Sequence, residues 1–347
     1  MSSERARLAI LAGLLAAIVL VAGAVVAVRL RNGDEEPPPA TTPSGAPAWP
    51  LTGLPAGEDD DVGRPVLVVK IDNADPPARP QSGLNQADVV YEEMVEGSVT
   101  RFAALFHSGG ADPLGPVRSA RSTDVALLTP LHGPLFAWAG ANPEFTALVR
   151  AAPLVDVGFE VAADAYERTE DRHPPYNLYS STDALRAHTP DDAEPPPQLF
   201  EFRAAGEPAA GRDVGWVRVD FGGGAGSAPV DWTWDAAAGG WDRAQAGSPH
   251  VDAAGEQVSP ANVVVQFVPY TIVGCCDASG APIPEAQLVG EGDAWLLSGG
   301  RLVEGRWRKP SADSVTTYVD AAGAAFRLAP GRTWVALAPP GAAAVVG

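Results

Sequence analysis

The sequence predicts an α/β or α+β N-terminal domain built on a central mixed sheet, followed by a smaller β-rich C-terminal domain. It also predicts one N-terminal transmembrane helix. Three observations lead to this fold class. An uncharged apolar stretch lies near the N-terminus, strand and helix patterns are interspersed in residues 51–197, and short strand patterns between Gly-rich turns fill residues 198–347. Short strands at regular spacing are typical of an all-β module.

The N-terminal segment, residues 1–31, is predicted to be a transmembrane anchor or a signal segment. Leu8 to Val28 contains 21 residues without a charge, which is enough for a helix to span a bilayer. A cleaved signal peptide is the alternative, because small residues near the end of the run resemble a cleavage site. We therefore expect a single-pass protein of the cell membrane with its bulk extracytoplasmic, or a secreted protein if the segment is cleaved.

Residues 32–50 are predicted to form an extended tether, because they are rich in Pro and acidic residues and cannot bury a core. The formal net charge of the chain is −19, which repels phosphate backbones, so no nucleic-acid partner is expected. The only cysteines, Cys275 and Cys276, are adjacent and provide no CxxC spacing. No cofactor is expected from these patterns.

Residues 51–197 combine strands and helices. Val66–Ile71 is a short apolar run typical of a buried strand. Two alternating runs, Asp88–Glu96 and Val99–His107, flank Gly97-Ser98 as in a β-hairpin. The helical patterns that follow cover Asp124–Leu135, Glu144–Ala152 and a segment that begins near Ser181.

Charged residues are concentrated in this hairpin. With a two-residue turn, Met94 would face Arg101, and Glu92, Glu96 and Arg101 would share one face of the sheet. Charges that are buried in a sheet must be paired. The alternative is a solvated face with surface ion pairs, which stabilise little.

The segment Gly115–Asp124, GPVRSARSTD, leads into a predicted helix with its N-cap at Ser122 or Thr123. Arg118 and Arg121 are three residues apart, so a helical turn would point them the same way. Guanidinium groups beside a helix N-terminus favour an anion. A structural brace between these arginines and the hairpin glutamates is the alternative interpretation.

Other polar residues extend this candidate site. Asp72 and Asn73 follow the first strand, Arg79 lies in the next loop, and a polar aromatic loop supplies Arg168 and Asn177. The predicted ligand-binding residues are Asp72, Asn73, Arg79, Glu92, Glu96, Arg101, Arg118, Arg121, Asp124, Arg168 and Asn177.

The pattern of residues 198–347 predicts short strands, and this part of the chain contains seven of the nine tryptophans. Most of these rings are expected to pack in the core, and carbohydrate stacking is the alternative. The predicted strands are 214–221, 230–235, 240–243, 262–270, 294–298, 300–307, 325–328 and 333–338.

Several sequence segments identify the family that the chain resembles. KIDN, ARPQSGL, ADVVYEEMVEG, TRF and GPVRSAR, and later VEGRW, YVD and PGRTWVAL, resemble the YerB-like family of exported bacterial envelope proteins. The resemblance implies an N- and a C-terminal module and an extracytoplasmic location. Two features depart from the family: no lipid-acceptor Cys follows the apolar run, and Tyr176 stands where the resemblance implies a His in Pro-His-Asn-Leu-Tyr.

These observations favour a tethered envelope protein that binds an anionic ligand or a protein partner at the arginines. The expected partners are the membrane, a cell-wall polymer, a lipid-linked glycan or an envelope protein. The alternative is a Mg²⁺-dependent phosphotransferase acting on polyprenyl-pyrophosphate-linked glycans, because Asp72, Arg79, Asp88 and Arg118 occur in an order similar to that of the LytR-CpsA-Psr phosphotransferases. No complete catalytic motif is present, so enzymatic activity stays an open alternative.

Overall fold

The computed structural model describes residues 47–204, 206–222, 228–274 and 280–347. The predicted membrane segment, all of the predicted tether before residue 47, and the Cys275-Cys276 pair lie outside these ranges. Within them, no helix has the length and apolar character needed to cross a membrane.

The described chain is dominated by strands. The first part contains β1 (Leu67–Asp72), β2 (Val89–Met94), β3 (Thr100–Phe106), α1 (Ser122–Leu128), β4 (Leu135–Ala137), α2 (Pro143–Ala151), β5 (Val155–Asp156), β6 (Tyr166–Arg168), β7 (Leu178–Ser180) and α3 (Thr182–Arg186). The remaining strands are β8 (Glu201–Phe202), β9 (Arg212–Asp213), β10 (Trp216–Val219), β11 (Val230–Asp235), β12 (Gly240–Gln245), β13 (Ser248–Pro249), β14 (Asn262–Phe267), β15 (Tyr270–Gly274), β16 (Ile283–Ala286), β17 (Gly290–Ser298), β18 (Arg301–Lys309), β19 (Thr317–Asp320), β20 (Arg327–Leu328), β21 (Thr333–Ala338) and β22 (Ala343–Val345).

The predicted α/β or α+β class is wrong, because helices are few and short. The α-helices of the described ranges contain 7, 9 and 5 residues. The helix predicted over Asp124–Leu135 ends at Leu128 and is followed by a 3₁₀ turn, Thr129–Leu131. Pro130 lacks the N–H that an α-helix needs in its interior, which explains the early end.

One mixed sheet of 11 strands organises the described residues. Its order is β19-β18-β17-β14-β21-β2-β3-β1-β4-β5, with β9 paired to β18. Strand β21 pairs in parallel with both β14 and β2, whereas β2 and β3 form an antiparallel hairpin. The sheet therefore draws strands from both sides of residue 197.

Different elements pack on the two faces of this sheet. On the helix-covered face, Leu105 and Val335 pack in one apolar cluster with Leu128 of α1 and Val149 of α2. The opposite, sheet-covered face packs against a second sheet of order β13-β12-β11-β10-β22. Trp232 and Trp241 of this second sheet are fully buried, and burial of such apolar surface is the main stabilising contribution to the fold.

We expect that a fragment of residues 47–197 does not fold cooperatively. In this fragment β2 loses β21, its hydrogen-bonded neighbour, and the sheet-covered face loses the second sheet. An unpaired, apolar edge strand favours aggregation. Circular dichroism melting and size-exclusion chromatography of this fragment and of residues 47–347 would test the expectation. A cooperative transition in the fragment would instead support an independent N-terminal domain.

Candidate functional site

The helix-covered face contains a cluster of eight charged side chains around β1, β2, β3 and the start of α1. Four are cationic and four are anionic, and most of them are buried. Such a cluster is stable only if its charges are paired, because burial removes their hydration. We call it the charge cluster, and its members are Lys70, Asp72, Glu93, Glu96, Arg101, Arg118, Arg121 and Asp124.

The register of the β2–β3 hairpin decides which residues join the charge cluster. The turn contains three residues, Glu96–Ser98, and φ is positive at its last two positions, 69° and 59°. Arg101 therefore lies opposite Glu93 and not opposite the predicted Met94. A shift of one residue moves a side chain to the other face of a sheet, so the prediction that Glu92 shares a face with Arg101 is wrong.

Lys70 lies at the centre of the buried part of the cluster. Its Nζ donates to Asp124 Oδ1 at 2.7 Å and to Glu93 Oε1, and the exposed fraction of each of these side chains is 1% or less. One cation therefore serves two carboxylates. Burial raises the pKa of Glu93 to about 7, with Lys70 opposing and Asp124 reinforcing this rise. Glu93 Oε2 has no hydrogen-bond partner in the described structure.

Arg121 has the role of a brace. Its Nη2 donates to Glu96 Oε2 at 2.6 Å, and its backbone N–H donates to Asp124 Oδ2 at 2.7 Å. The N-cap of α1 is Arg121 itself and not the predicted Ser122 or Thr123. Arg118 lies before the helix, so the predicted helical i, i+3 pair of arginines is wrong.

Arg118 lies at the exposed rim of the charge cluster. Its Nε donates to Asp72 Oδ2 at 2.6 Å, and its guanidinium lies 5.9 Å from the centre of the Tyr176 ring. The side chain of Arg118 is 25% exposed, whereas that of Asp72 is only 3% exposed. Within the described residues, no hydrogen bond involves Arg118 Nη1 or Nη2, so both can reach a ligand from solvent.

Arg101 is buried between these groups without an ion pair in the described structure. Its Nη1 donates to the carbonyl oxygen of Ser119 at 3.3 Å, and its Nε has no partner. Burial, together with the nearby positive charge of Arg121, lowers the pKa of Arg101 to about 10. A buried guanidinium with unused donors is the least satisfied group of the cluster.

Glu92 belongs to a separate, closed network on the sheet-covered face. It accepts hydrogen bonds from Arg243 at 2.7 Å, Thr100 at 2.8 Å and Trp334 at 2.9 Å. Arg243 is fully buried, and its guanidinium lies 5.1–5.9 Å from three aromatic ring centres, those of Phe102, Trp232 and Trp334. No exposed donor remains on this pair for a ligand.

Asn73 lies in the same closed network. Its Nδ2 donates to Thr100 Oγ1 at 2.7 Å and to Gln245 Oε1 at 2.9 Å, and its Oδ1 accepts from Gln81 at 3.1 Å. Gln81 in turn bonds His250, which is buried beside Arg243. Burial lowers the pKa of His250, so its imidazole ring stays uncharged.

The remaining predicted residues lie outside the charge cluster. Arg79 pairs with Asp75 at 2.9 Å. Arg168 donates to Asn177 Oδ1 at 2.9 Å, and its guanidinium lies 5.4 Å from the centre of the Phe159 ring. Asn177 directly follows Tyr176, whose ring contacts Arg118. The contact between Arg168 and Asn177 therefore positions the loop that contains Tyr176.

The predicted ligand-binding residues did not include Lys70, Glu93 or Arg243. Lys70 carried a usable signal, because it is one of only two lysines and interrupts an apolar strand, where a charge needs carboxylates. Arg243 carried no such signal in the sequence, because its partner Glu92 is 151 residues away.

The predicted pair of Mg²⁺ ligands does not fit this geometry. Asp72 lies opposite Arg101 at one end of β3, whereas Asp88 accepts from the backbone of His107 and Ser108 at the other end. These ends are about 20 Å apart at about 3.3 Å per residue. In the described ranges, no group of three or more His, Cys, Asp and Glu side chains is arranged to hold a metal ion.

Comparison with known proteins gives the family. The profile of the N-terminal domain of a protein of unknown function, DUF3048, matches residues 51–194, and that of the DUF3048 C-terminal domain matches residues 217–335. The chain belongs to the DUF3048 family. This confirms the YerB-like resemblance, since "Putative lipoprotein YerB" of Bacillus subtilis (strain 168) is 30% identical over 298 residues, covering 84% of this chain and 86% of that protein.

A solved structure shares the DUF3048 fold described here. The crystal structure of the YerB protein from Bacillus subtilis superimposes with a TM-score of 0.73 at 26% sequence identity. The match covers 87% of this chain and 100% of the YerB chain.

We expect Arg243→Ala to lower the free energy of unfolding by about 3–5 kcal/mol, because it leaves the buried Glu92 carboxylate without its cation. Urea unfolding followed by tryptophan fluorescence would measure this change. Arg306→Ala is the matched control, because Arg306 pairs with exposed carboxylates and should change stability by no more than about 0.5 kcal/mol. Equal effects of the two variants would contradict the buried pair.

Proposed function

We propose that this protein is an envelope-associated protein that binds a phosphate-bearing ligand through Arg101 and Arg118, with Arg121 adding positive charge behind them. We call these three residues the arginine site. The observation that carries the proposal is the guanidinium of Arg101, which is buried, has no ion pair among the described residues and lies near the partly exposed Arg118. Guanidinium groups bind phosphate and carboxylate oxygens in a bidentate manner.

The surroundings of the arginine site favour an anion over a cation. Its carboxylates are already engaged: Asp72 accepts from Arg118 Nε, and Glu96 accepts from Arg121. On the rim, Arg118 Nη1 and Nη2 have no hydrogen-bond partner among the described residues, so they are donors that a ligand can use. Tyr176 limits the site on one side and holds the plane of the Arg118 guanidinium by a cation–π contact.

The envelope location rests on the relative and on the N-terminal sequence. The relative from Bacillus subtilis is described as a putative lipoprotein, which supports membrane association of this chain. Here the only cysteines are Cys275 and Cys276, so the uncharged run Leu8 to Val28 is proposed to anchor the chain in place of a lipid. Phosphate-bearing wall polymers and lipid-linked glycans are the ligands that such a location would present.

The phosphotransferase alternative receives less support from the geometry. It requires Asp72 and Asp88 to share a Mg²⁺ ion, and they lie at opposite ends of the hairpin. Binding of an anion without a chemical step needs only Arg101, Arg118 and Arg121, which lie close together. We therefore propose a binding function.

We expect inorganic pyrophosphate or poly(glycerol phosphate) to bind the wild-type chain and raise its melting temperature. Arg118→Lys should weaken binding roughly 10- to 100-fold, because it removes a charge-assisted hydrogen bond and the bidentate geometry. The lysine still reaches Asp72, so the melting temperature without ligand should change little. Calorimetric titration and thermal unfolding measure the two quantities.

Arg306→Lys is the control for this experiment, because it makes the same substitution at an exposed arginine of β18 away from the site. It should bind like the wild type. If neither phosphate compound binds the wild type and Arg118→Lys lowers the melting temperature, the arginines serve only as a brace. The search would then turn to protein partners.

A further inference from the structure

Building on that proposed function, we propose that the arginine site takes up its anion together with one proton, and that the carboxyl group of Glu93 accepts this proton. Binding of the anion and protonation of Glu93 would then be one coupled event. Glu93 lies directly opposite Arg101 in the β2–β3 hairpin, where facing side chains have Cβ atoms about 4.5–5.5 Å apart.

The charge balance of the cluster requires a compensating change when an anion binds. Four cationic and four anionic side chains make the cluster neutral before binding. An added anion makes it negative inside a region of low effective dielectric, where uncompensated charge is costly. Neutralising one carboxylate removes one unit of this negative charge without moving any element of the fold.

Glu93 is the carboxylate that is least engaged as an anion. Asp72 accepts from Arg118 and from the backbone of Ala74, and Glu96 accepts from the Arg121 guanidinium. Asp124 accepts from both Lys70 and the Arg121 backbone. Glu93 shares its single cation, Lys70, with Asp124, and its Oε2 accepts no hydrogen bond in the described structure. That oxygen is free to carry a proton.

Burial favours protonation of Glu93 near neutral pH and Asp124 adds to this effect, whereas Lys70 and Arg121 oppose it. The Glu93 side chain is 1% exposed, and burial raises its pKa to about 7. On β15, the Tyr270 hydroxyl is occupied, because it donates to the carbonyl oxygen of Leu337 and accepts from the Met94 backbone. On β16, Glu285 accepts from Gln287. The charged groups that act on Glu93 are Lys70 from β1 and Arg121 and Asp124 from the α1 region. Arg101 of β3 lies opposite Glu93 in the hairpin.

The direction in which pH changes the affinity for the anion follows from the effect of the anion on Glu93. A bound anion disfavours the neighbouring carboxylate and raises the pKa of Glu93 above its value in the free protein. Between these two pKa values the complex holds more protons than the free protein. Affinity must therefore increase as the pH falls through this interval, and each unit of pKa rise corresponds to about tenfold tighter binding.

Sulfate is the appropriate probe, because it stays a dianion between pH 6 and pH 9 and adds no titration of its own. Calorimetric titration of the full chain, in two buffers of different ionisation enthalpy, measures both the affinity and the protons taken up. We expect about tenfold tighter binding at pH 6 than at pH 9. A rise of one pKa unit also predicts proton uptake that peaks at about one half per sulfate between pH 7 and pH 8.

Glu93→Gln should bind sulfate with an affinity that does not depend on pH and without proton uptake, because glutamine mimics the protonated carboxyl. Glu304→Gln is the matched control, because Glu304 is an exposed carboxylate that pairs with Arg212. It should keep the wild-type pH profile. Proton uptake that persists in Glu93→Gln would overturn the assignment.

The outcomes separate this inference from the proposed function. Absence of sulfate binding at every pH would contradict the arginine site itself. Sulfate binding without proton uptake would contradict only the role of Glu93. If Glu93→Gln does not fold, ¹³C NMR of wild-type Glu carboxyl carbons decides: one resonance must titrate near neutral pH and shift to higher pH with sulfate. No such resonance would overturn the proposal.

Discussion

The pairing of buried charges on the central hairpin is the constraint on which the rest of the structure depends. β2 places Glu92 on one face of the sheet and Glu93 on the other, and both carboxylates are essentially inaccessible to solvent. Each needs a cation from elsewhere in the chain: Arg243 from β12 for Glu92, and Lys70 from β1 for Glu93. Removing one partner of such a pair is far more damaging than replacing both, so these contacts also fix which elements must pack together.

The two faces pair their buried charges differently. On the sheet-covered face, three donors saturate Glu92, and aromatic rings enclose Arg243. On the helix-covered face, Arg101 keeps unused donors, and the neighbouring Arg118 reaches solvent. An incompletely satisfied polar group next to an exposed one of the same charge is typical of a binding site rather than of a packed core.

Local patterns in the sequence predicted individual strands better than they predicted the fold. The predicted strands 230–235 and 333–338 are confirmed residue for residue as β11 and β21, because alternation and turn residues are local signals. The fold class was wrong because the described helices are few and short, and Pro130 ends one of them early. The prediction that Glu92 and Arg101 share a face was wrong, because the turn Glu96–Ser98 contains three residues instead of two and this shifts the register by one residue. The Glu92–Arg243 contact depends on long-range packing, which no local pattern contains.

The position of β21 in the sheet determines when folding can finish. This strand, Thr333–Ala338, lies between β14 and β2 and joins them by parallel pairing on both sides. During synthesis, β2 therefore has an open edge until Thr333–Ala338 has emerged, and contacts of such large sequence separation form slowly. An apolar sheet edge that stays unpaired throughout this interval favours association with other chains, which a protein whose strands pair in chain order avoids.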